Sequence, residues 1–316
     1  MIKNRRSFIV GLKSTILRVK EKQFLKKYKP WGIMLFSRNI KSIAQTKKLT
    51  DDIRKIFNDK NYPILIDQEG GRVNRLNNLI DSSNFTGEFF GKLFKKNIKK
   101  FNVYYKIFIN QTCYLLDKIG VNINTVPVLD VRRKNSNNVI GNRSFDSKPK
   151  IVSKIGDYFI DQFHKNNIAT VIKHIPGHGL AKVDSHKSTP IVKSKLKDLN
   201  KIDFLAFKNK KSLFAMTAHI VYQNIDKNFT ATHSKEVIKL IKNKIKFNNL
   251  LISDDISMKA LKFSIKENTI KAFNAGCDLV LHCNAKYGEM ITVAKNSPKV
   301  NAFITKKTSQ FYKILR

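Results

Sequence analysis

Acidic residues are scarce in this chain: 23 Asp and Glu stand against 61 Lys and Arg over 316 residues, a formal net charge of +38. Cysteine is scarcer still, with only Cys113, Cys277 and Cys283, each in apolar surroundings. An odd number of such thiols argues against a disulfide framework and fits a reducing compartment. No apolar run approaches the ~20 residues of a membrane span, and the run at residues 8–12 is too short for a secretory signal. A soluble, cytoplasmic protein without a membrane partner is therefore expected. Gly and Pro are not enriched, which together with 42% apolar residues excludes a low-complexity chain and leaves a globular one able to bury a large core.

The positive excess invites a polyanionic partner. Lys is spread over every segment, however, and no basic tail, aromatic-basic RNA motif, zinc finger or basic heptad segment occurs. We read the excess as the usage of a Lys-, Asn- and Ile-rich chain. A weak, salt-sensitive attraction to polyanions follows from it, without a specific nucleic-acid partner.

Short apolar runs alternate with amphipathic stretches. The runs fall at residues 8–12, 32–36, 63–66, 121–129, 168–172, 213–217, 250–252 and 279–281. Helical periodicity marks 14–28, 41–58, 89–119, 196–209 and 234–247, with Ser234 an N-cap, and a further helix reaches Asn274 before Gly276 stops it. Continuous apolar strands imply burial on both faces, as in a parallel sheet. Eight such units predict an α/β fold, a single-domain (β/α)8 TIM barrel over residues 1–316. The rival, a doubly wound open sheet, lacks a Gly-rich phosphate loop after its first strand. Polar residues directly follow the runs: Arg38, Asp67, Asp130, Lys173 with His174, His219, Asp254 and His282. They mark the C-terminal mouth, where barrels carry their chemistry.

The densest stretch is 171–186, VIKHIPGHGLAKVDSH. Pro176, Gly177 and Gly179 exclude a helix, so His174 and His178 lack the i, i+4 geometry of a metalloprotease pair. A metal site of His174, His178, Asp184 and His186 is the weaker alternative, and no metal or cofactor is expected. Asp184 and His186 form a tight Asp-x-His, in which a carboxylate holds an imidazole in one tautomer. No G-x-S-x-G elbow accompanies it, so a serine hydrolase is excluded. Asp254 and Asp255 close a buried strand, and strand alternation sends only one of them into the mouth. Which one is open, although Asp255 suits capping of the next segment. In DQEGGRVNR, Asp67 and Arg75 suit a polyol ligand, while Glu69 and Arg72 suit an internal salt bridge. Asp130 and His219 are as readily hydrogen-bond partners as catalysts.

DQEGGRVNRL, VPVLDV, VIGNRSF, KHIPGHG with DSH, MTAHI, SDDISMKAL and AGCDLVLHCN, in this order, resemble the β-N-acetylhexosaminidases of glycoside hydrolase family 3, of the single-domain bacterial NagZ type. The likeness runs from about residue 8 to residue 284. It implies a retaining exo-glycosidase that removes terminal β-linked N-acetylglucosamine from GlcNAc-1,6-anhydroMurNAc and its peptides in cell-wall recycling. It also implies Asp254 as nucleophile, His186 as general acid/base with Asp184 as its partner, and Asp67, Arg75, Arg143, Lys173 and His174 as sugar-binding positions. The implied partner is a small carbohydrate, and a monomer is expected. Gly177 and Gly179 would let the loop swing His186 over the sugar. Leu180, Ala181, Thr189 and Asn142 depart from the common pattern and touch the loop rather than the catalytic set. The alternatives are a phosphorylase or another family 3 β-glycosidase, and, outside enzymes, a basic polyanion-binding protein on an inactive barrel.

Overall fold

The computed structural model describes residues 2–134 and 137–315. Eight strands form the barrel: β1 (Arg6–Gly11), β2 (Pro30–Leu35), β3 (Ile64–Ile66), β4 (Ile123–Asn124), β5 (Ala169–Ile175), β6 (Phe214–Thr217), β7 (Leu250–Asp255) and β8 (Leu279–His282). Each pairs in parallel with its neighbour in sequence. The sheet closes where β8 meets β1, with Phe8, Ile9 and Val10 opposite Val280, Leu281 and His282. That closure excludes the open sheet.

Alternate residues of each strand divide between two cores, because successive side chains leave a strand on opposite faces. Ile9, Leu65, Ile123, Val171, Phe214, Met216, Leu250, Ile252 and Leu281 fill the barrel interior. Phe8, Val10, Ile64, Ile66, Ile172, Ala215, Leu251 and Val280 face the surrounding helices. Those helices are α1 (Val19–Tyr28), α2 (Ile43–Phe57), α3 (Gly87–Lys96), α4 (Ile98–Lys118), α5 (Pro149–Lys165), α6 (Leu196–Lys201), α7 (Lys235–Leu240), α8 (Ile265–Ala275), α9 (Tyr287–Asn296) and α10 (Ala302–Ile314). The last one plugs the end of the barrel away from the mouth. Its Phe311 packs edge-on against Phe214, and Thr308 Oγ1 accepts the Trp31 indole N–H at 2.9 Å.

Local chemistry places the helix ends. Ser234 caps α7 through Val237 N–H, and Gly276, at φ 113°, ends α8. The stretch 89–119 is two helices, because Asn97 both ends α3 and caps α4 through Lys100 N–H. The stretch 196–209 is helical only to Lys201, followed by a 3-10 turn at Phe204–Phe207. Between them Asp203 is buried on Arg133, at 2.7 Å, which fixes the chain off the helix path.

Candidate active site

Asp67, Thr125 and Lys173 each lie two residues beyond an interior apolar position: Leu65, Ile123 and Val171. They form a polar layer above the apolar ones. Lys173 Nζ sits 2.8 Å from Asp67 Oδ1, 2.6 Å from Glu69 Oε1 and 3.1 Å from Thr125 Oγ1. Thr125 also donates to Asp67. Glu69 holds Arg143 in a bidentate pair at 2.7 and 2.8 Å. Glu69 reaches this place through a turn at Gly70 and Gly71, both at positive φ, closed by Glu69 N–H to Val73 O at 3.0 Å.

Burial opposes ionisation of both carboxyls, yet their cations win. Lys173 and Arg75 hold Asp67 far below the usual range, and Arg143 and Lys173 hold Glu69 down at about 2. Depressed carboxyls contribute stability that is complete above their unfolded pKa of about 4 and is lost as pH falls toward the folded value. Between pH 5 and pH 3 the wild-type unfolding free energy, read by urea denaturation, should therefore fall more steeply than that of Glu69→Gln. Parallel slopes would mean that Glu69 is not so held.

β5 carries the next part. The register between β5 and β6 shifts between Lys173 and Ile175, a bulge that brings His174 to the mouth beside Lys173. Asp130, fully buried, grips this segment. Its Oδ2 accepts His174 Nδ1 at 2.7 Å, and its Oδ1 accepts the His174 and His178 backbone N–H groups at 3.1 and 2.6 Å. His178 Nε2 lies 3.1 Å from Ser185 Oγ, and its Nδ1 is buried without a partner among the described residues. Burial, with His174 nearby, pushes His178 down to about 4, so it is neutral at pH 7. The two glycines are packed rather than free: a Cβ on Gly179 would lie 1.8 Å from Val131 O, and one on Gly177 would lie 2.8 Å from Asp203 Cβ. Beyond Ala181 the chain continues as an arm exposed at Lys182, Val183, His186 and Lys187.

That arm carries the Asp-x-His pair. His186 Nδ1 lies 2.9 Å from Asp184 Oδ1, and its side chain is 66% exposed. An ionised carboxylate only accepts, so Nδ1 bears the proton and Nε2 is left for proton exchange. On β7, Asp254 continues the inward series of Leu250 and Ile252 and opens into the mouth, while Asp255 turns away. Asp255 caps the following turn, accepting Ser257 N–H at 3.0 Å and Cys283 N–H at 3.2 Å. Burial opposes the Asp254 charge, but His219, His174 and the Asp255 N–H outweigh it and lower its pKa. His219 is fully buried between Thr232 Oγ1, at 2.7 Å, and the Asp255 carbonyl, at 3.0 Å, so it braces the strand end behind Asp254.

One cavity, enclosing about 510 Å³ including its open mouth, collects these groups. Asp67, Arg75, Arg143, Lys173, His174, His186 and Asp254 all line it. Asp184 stands behind His186. Arg75 lies 3.6 Å from Asp67 and keeps donors free, whereas Arg143 has spent Nε and Nη2 on Glu69. Arg72 is tied to backbone carbonyls of 138–140, Arg38 to those of Leu12 and Cys283, and His282 to Glu289. Thr125 and Ser185 were not singled out from sequence. The inward parity of β4 marks Thr125, but nothing local marks Ser185. Among the described residues, no group of three His, Cys, Asp or Glu side chains is placed to hold a metal, and no helix is long and apolar enough to cross a membrane.

Comparison with known proteins gives the family and the fold. The model of the glycosyl hydrolase family 3 N-terminal domain matches residues 9–310. A β-hexosaminidase of Hydrogenovibrio crunogenus is 34% identical over 283 residues, covering 87% of this chain and 78% of that protein. One from Tolumonas auensis is 30% identical over 289 residues, with 86% and 81% covered. Among solved structures, NagZ from Neisseria gonorrhoeae in complex with zinc ion superposes with a TM-score of 0.84 at 26% identity, over 98% of this chain and 90% of that one.

Proposed function

This chain belongs to glycosyl hydrolase family 3 and is a glycoside hydrolase, and on that premise we propose that it is a retaining exo-β-N-acetylglucosaminidase acting on peptidoglycan fragments. The observation that carries the reading is a carboxyl held ionised, Asp254, in one cavity with an imidazole whose free nitrogen faces exchange, His186 on Asp184. The names of the relatives, β-hexosaminidases, add the sugar, a hexosamine, which fits a cavity lined by both hydrogen-bond donors and acceptors.

Two displacements complete the cycle. Asp254 attacks the anomeric carbon while His186 Nε2–H gives its proton to the departing glycosidic oxygen, leaving a glycosyl ester on Asp254. His186, now neutral, takes a proton from water as that oxygen attacks the same carbon, releasing Asp254 and a sugar of the original configuration. Asp184 stabilises the imidazolium of the first half. Asp67 accepts hydrogen bonds from the sugar hydroxyls, Arg75 donates to its oxygens, Lys173 turns one of its three N–H groups from Thr125 to the sugar, and His174, fixed by Asp130, donates or accepts at the rim. The aglycone, an anhydromuramyl group with or without peptide, leaves through the open mouth. Recycling of wall fragments inside the cell, by a monomer, is the setting proposed.

Leaving-group dependence tests the acid. His186→Ala should lower kcat/KM by about tenfold or less on a 4-nitrophenyl β-N-acetylglucosaminide, whose phenolate needs little protonation. On the anhydro-disaccharide the loss should be on the order of 10^2–10^4. Equal losses on both substrates would remove His186 from the role. An imidazole in place of a carboxylate also admits phosphate as the second nucleophile. Sugar 1-phosphate among the products in phosphate buffer would make the enzyme a phosphorylase.

A further inference from the structure

We infer that a second ligand site lies behind the arm that carries His186, and that it takes a small amphipathic anion of the N-acylated amino-acid class. A hollow of about 810 Å³, including its opening, lies between the arm at Ser188, Thr189 and Ile191 and the segment 260–263 that follows the Asp254 strand. None of its lining residues belongs to the sugar cavity. The two walls are tied together. Thr189 Oγ1 donates to Ala260 O at 2.7 Å, and Ala260 N–H donates to Ser185 O at 3.1 Å.

Three independent features set the ligand's chemistry. The first is apolar: Phe229 and Phe263, with ring centroids 6.4 Å apart, stand in the hollow with Ile191, and Phe263 and Ile191 are 40% and 54% exposed. An aromatic ring and a branched side chain left so open favour an apolar or aromatic body. The second is charge. Lys227 and Lys262 line the opening, Lys271 Nζ lies 4.4 Å over the Phe263 ring, and no Asp or Glu is among the described lining residues. The acids next to it in sequence are engaged in turns: Asp226 accepts the Asn228 and Phe229 N–H groups, and Glu267 holds Ser264. The third is a hydrogen bond left unmade. Thr230 opens onto the hollow, is 5% exposed, and its hydroxyl has no partner among the described residues. A buried hydroxyl without a partner is a cost that an incoming acceptor removes.

A bare inorganic anion would leave the rings unused. A pure hydrocarbon would leave the lysines and Thr230 unused. An acyl carbonyl on Thr230, an apolar side chain on the rings and a carboxylate at the lysines satisfy all three together.

Calorimetric titration of the whole protein with N-acetyl-L-phenylalanine tests this, with N-acetyl-L-phenylalaninamide as the uncharged control. The acid should bind once per chain, and the amide at least about tenfold more weakly. Lys227→Glu combined with Lys262→Glu should weaken the acid by about tenfold, leaving the amide and the rate of glycoside hydrolysis unchanged. Thr230→Val should weaken both ligands while raising Tm, since it removes the unpaired hydroxyl. Absence of saturable binding, equal affinity for acid and amide, wild-type affinity in either variant, or displacement of the probe by N-acetylglucosamine would each overturn the site. Binding needs no turnover, so these results stand apart from the fate of the hydrolase mechanism.

Discussion

Asp254→Asn should reduce kcat on a chromogenic β-N-acetylglucosaminide by on the order of 10^4 or more, a rise of about 5 kcal/mol in the barrier. The amide has the shape of the carboxyl, and its oxygen can still accept the Asp255 N–H, which donates to Asp254 Oδ1 at 2.7 Å in the wild type. Fold and sugar affinity should therefore persist, with Tm and KM near wild type, while the group that must form the glycosyl ester is gone. Asp254→Ala should also be nearly inactive. It should regain turnover with azide, which fits the vacated space and gives the α-glycosyl azide from the β-substrate, an inversion that only a single displacement produces. A fluorosugar that halts the cycle after the first step should label Asp254 in peptide mapping. Residual activity within tenfold of wild type, or label on another side chain, would end the assignment. Asp255→Asn serves as the contrast. Its carboxyl bonds to Ser257 and Cys283 away from the cavity, so its loss should appear in stability before chemistry.

The contrast between those two neighbours also shows where sequence reasoning reaches its end. Strands buried on both faces read as unbroken apolar runs, so the eight units and the mouth are visible in the chain. The same burial erases the alternation that would tell inside from outside. Leu250, Leu251 and Ile252 are all apolar, and only the closed sheet assigns Leu250 and Ile252 to the interior and hence Asp254 to the cavity. Thr125 is hidden too, one of three polar residues, with Asn122 and Asn124, in the run 121–129. Glu69 and Arg143 are 74 positions apart and form a bidentate pair that no local spacing signals. Asp130 looked equally fit for catalysis or support until the β5 bulge put two backbone N–H groups and one imidazole on it. Motif resemblance supplies the candidate site residues; long-range geometry supplies what each one leans on.

Lys173→Met should cost about 3–5 kcal/mol of stability at pH 7, the penalty of leaving a buried charge without its partner. The Lys173 side chain is 3% exposed and serves two carboxylates at once, so its removal sets Asp67 and Glu69 against each other with fewer cations between them. Glu69 keeps Arg143. Asp67 keeps Thr125 and, at 3.6 Å, Arg75, and is the residue most exposed to the loss. Asp67→Asn in the same chain should therefore recover much of the stability without recovering turnover, a coupling that a double-mutant cycle measures directly. The pH dependence gives a second readout. Without its ammonium partner the Asp67 carboxyl should be driven above its unfolded pKa by burial, so the folded state gains from protonation. Stability from such a group is complete below the unfolded pKa and lost as pH rises through the folded one. The deficit of Lys173→Met relative to wild type should accordingly shrink as pH falls from 7 to 4. A deficit that stays constant over that range would mean that Lys173 acts by filling space, and that the charge network at the floor of the cavity is not what holds this part of the barrel in shape.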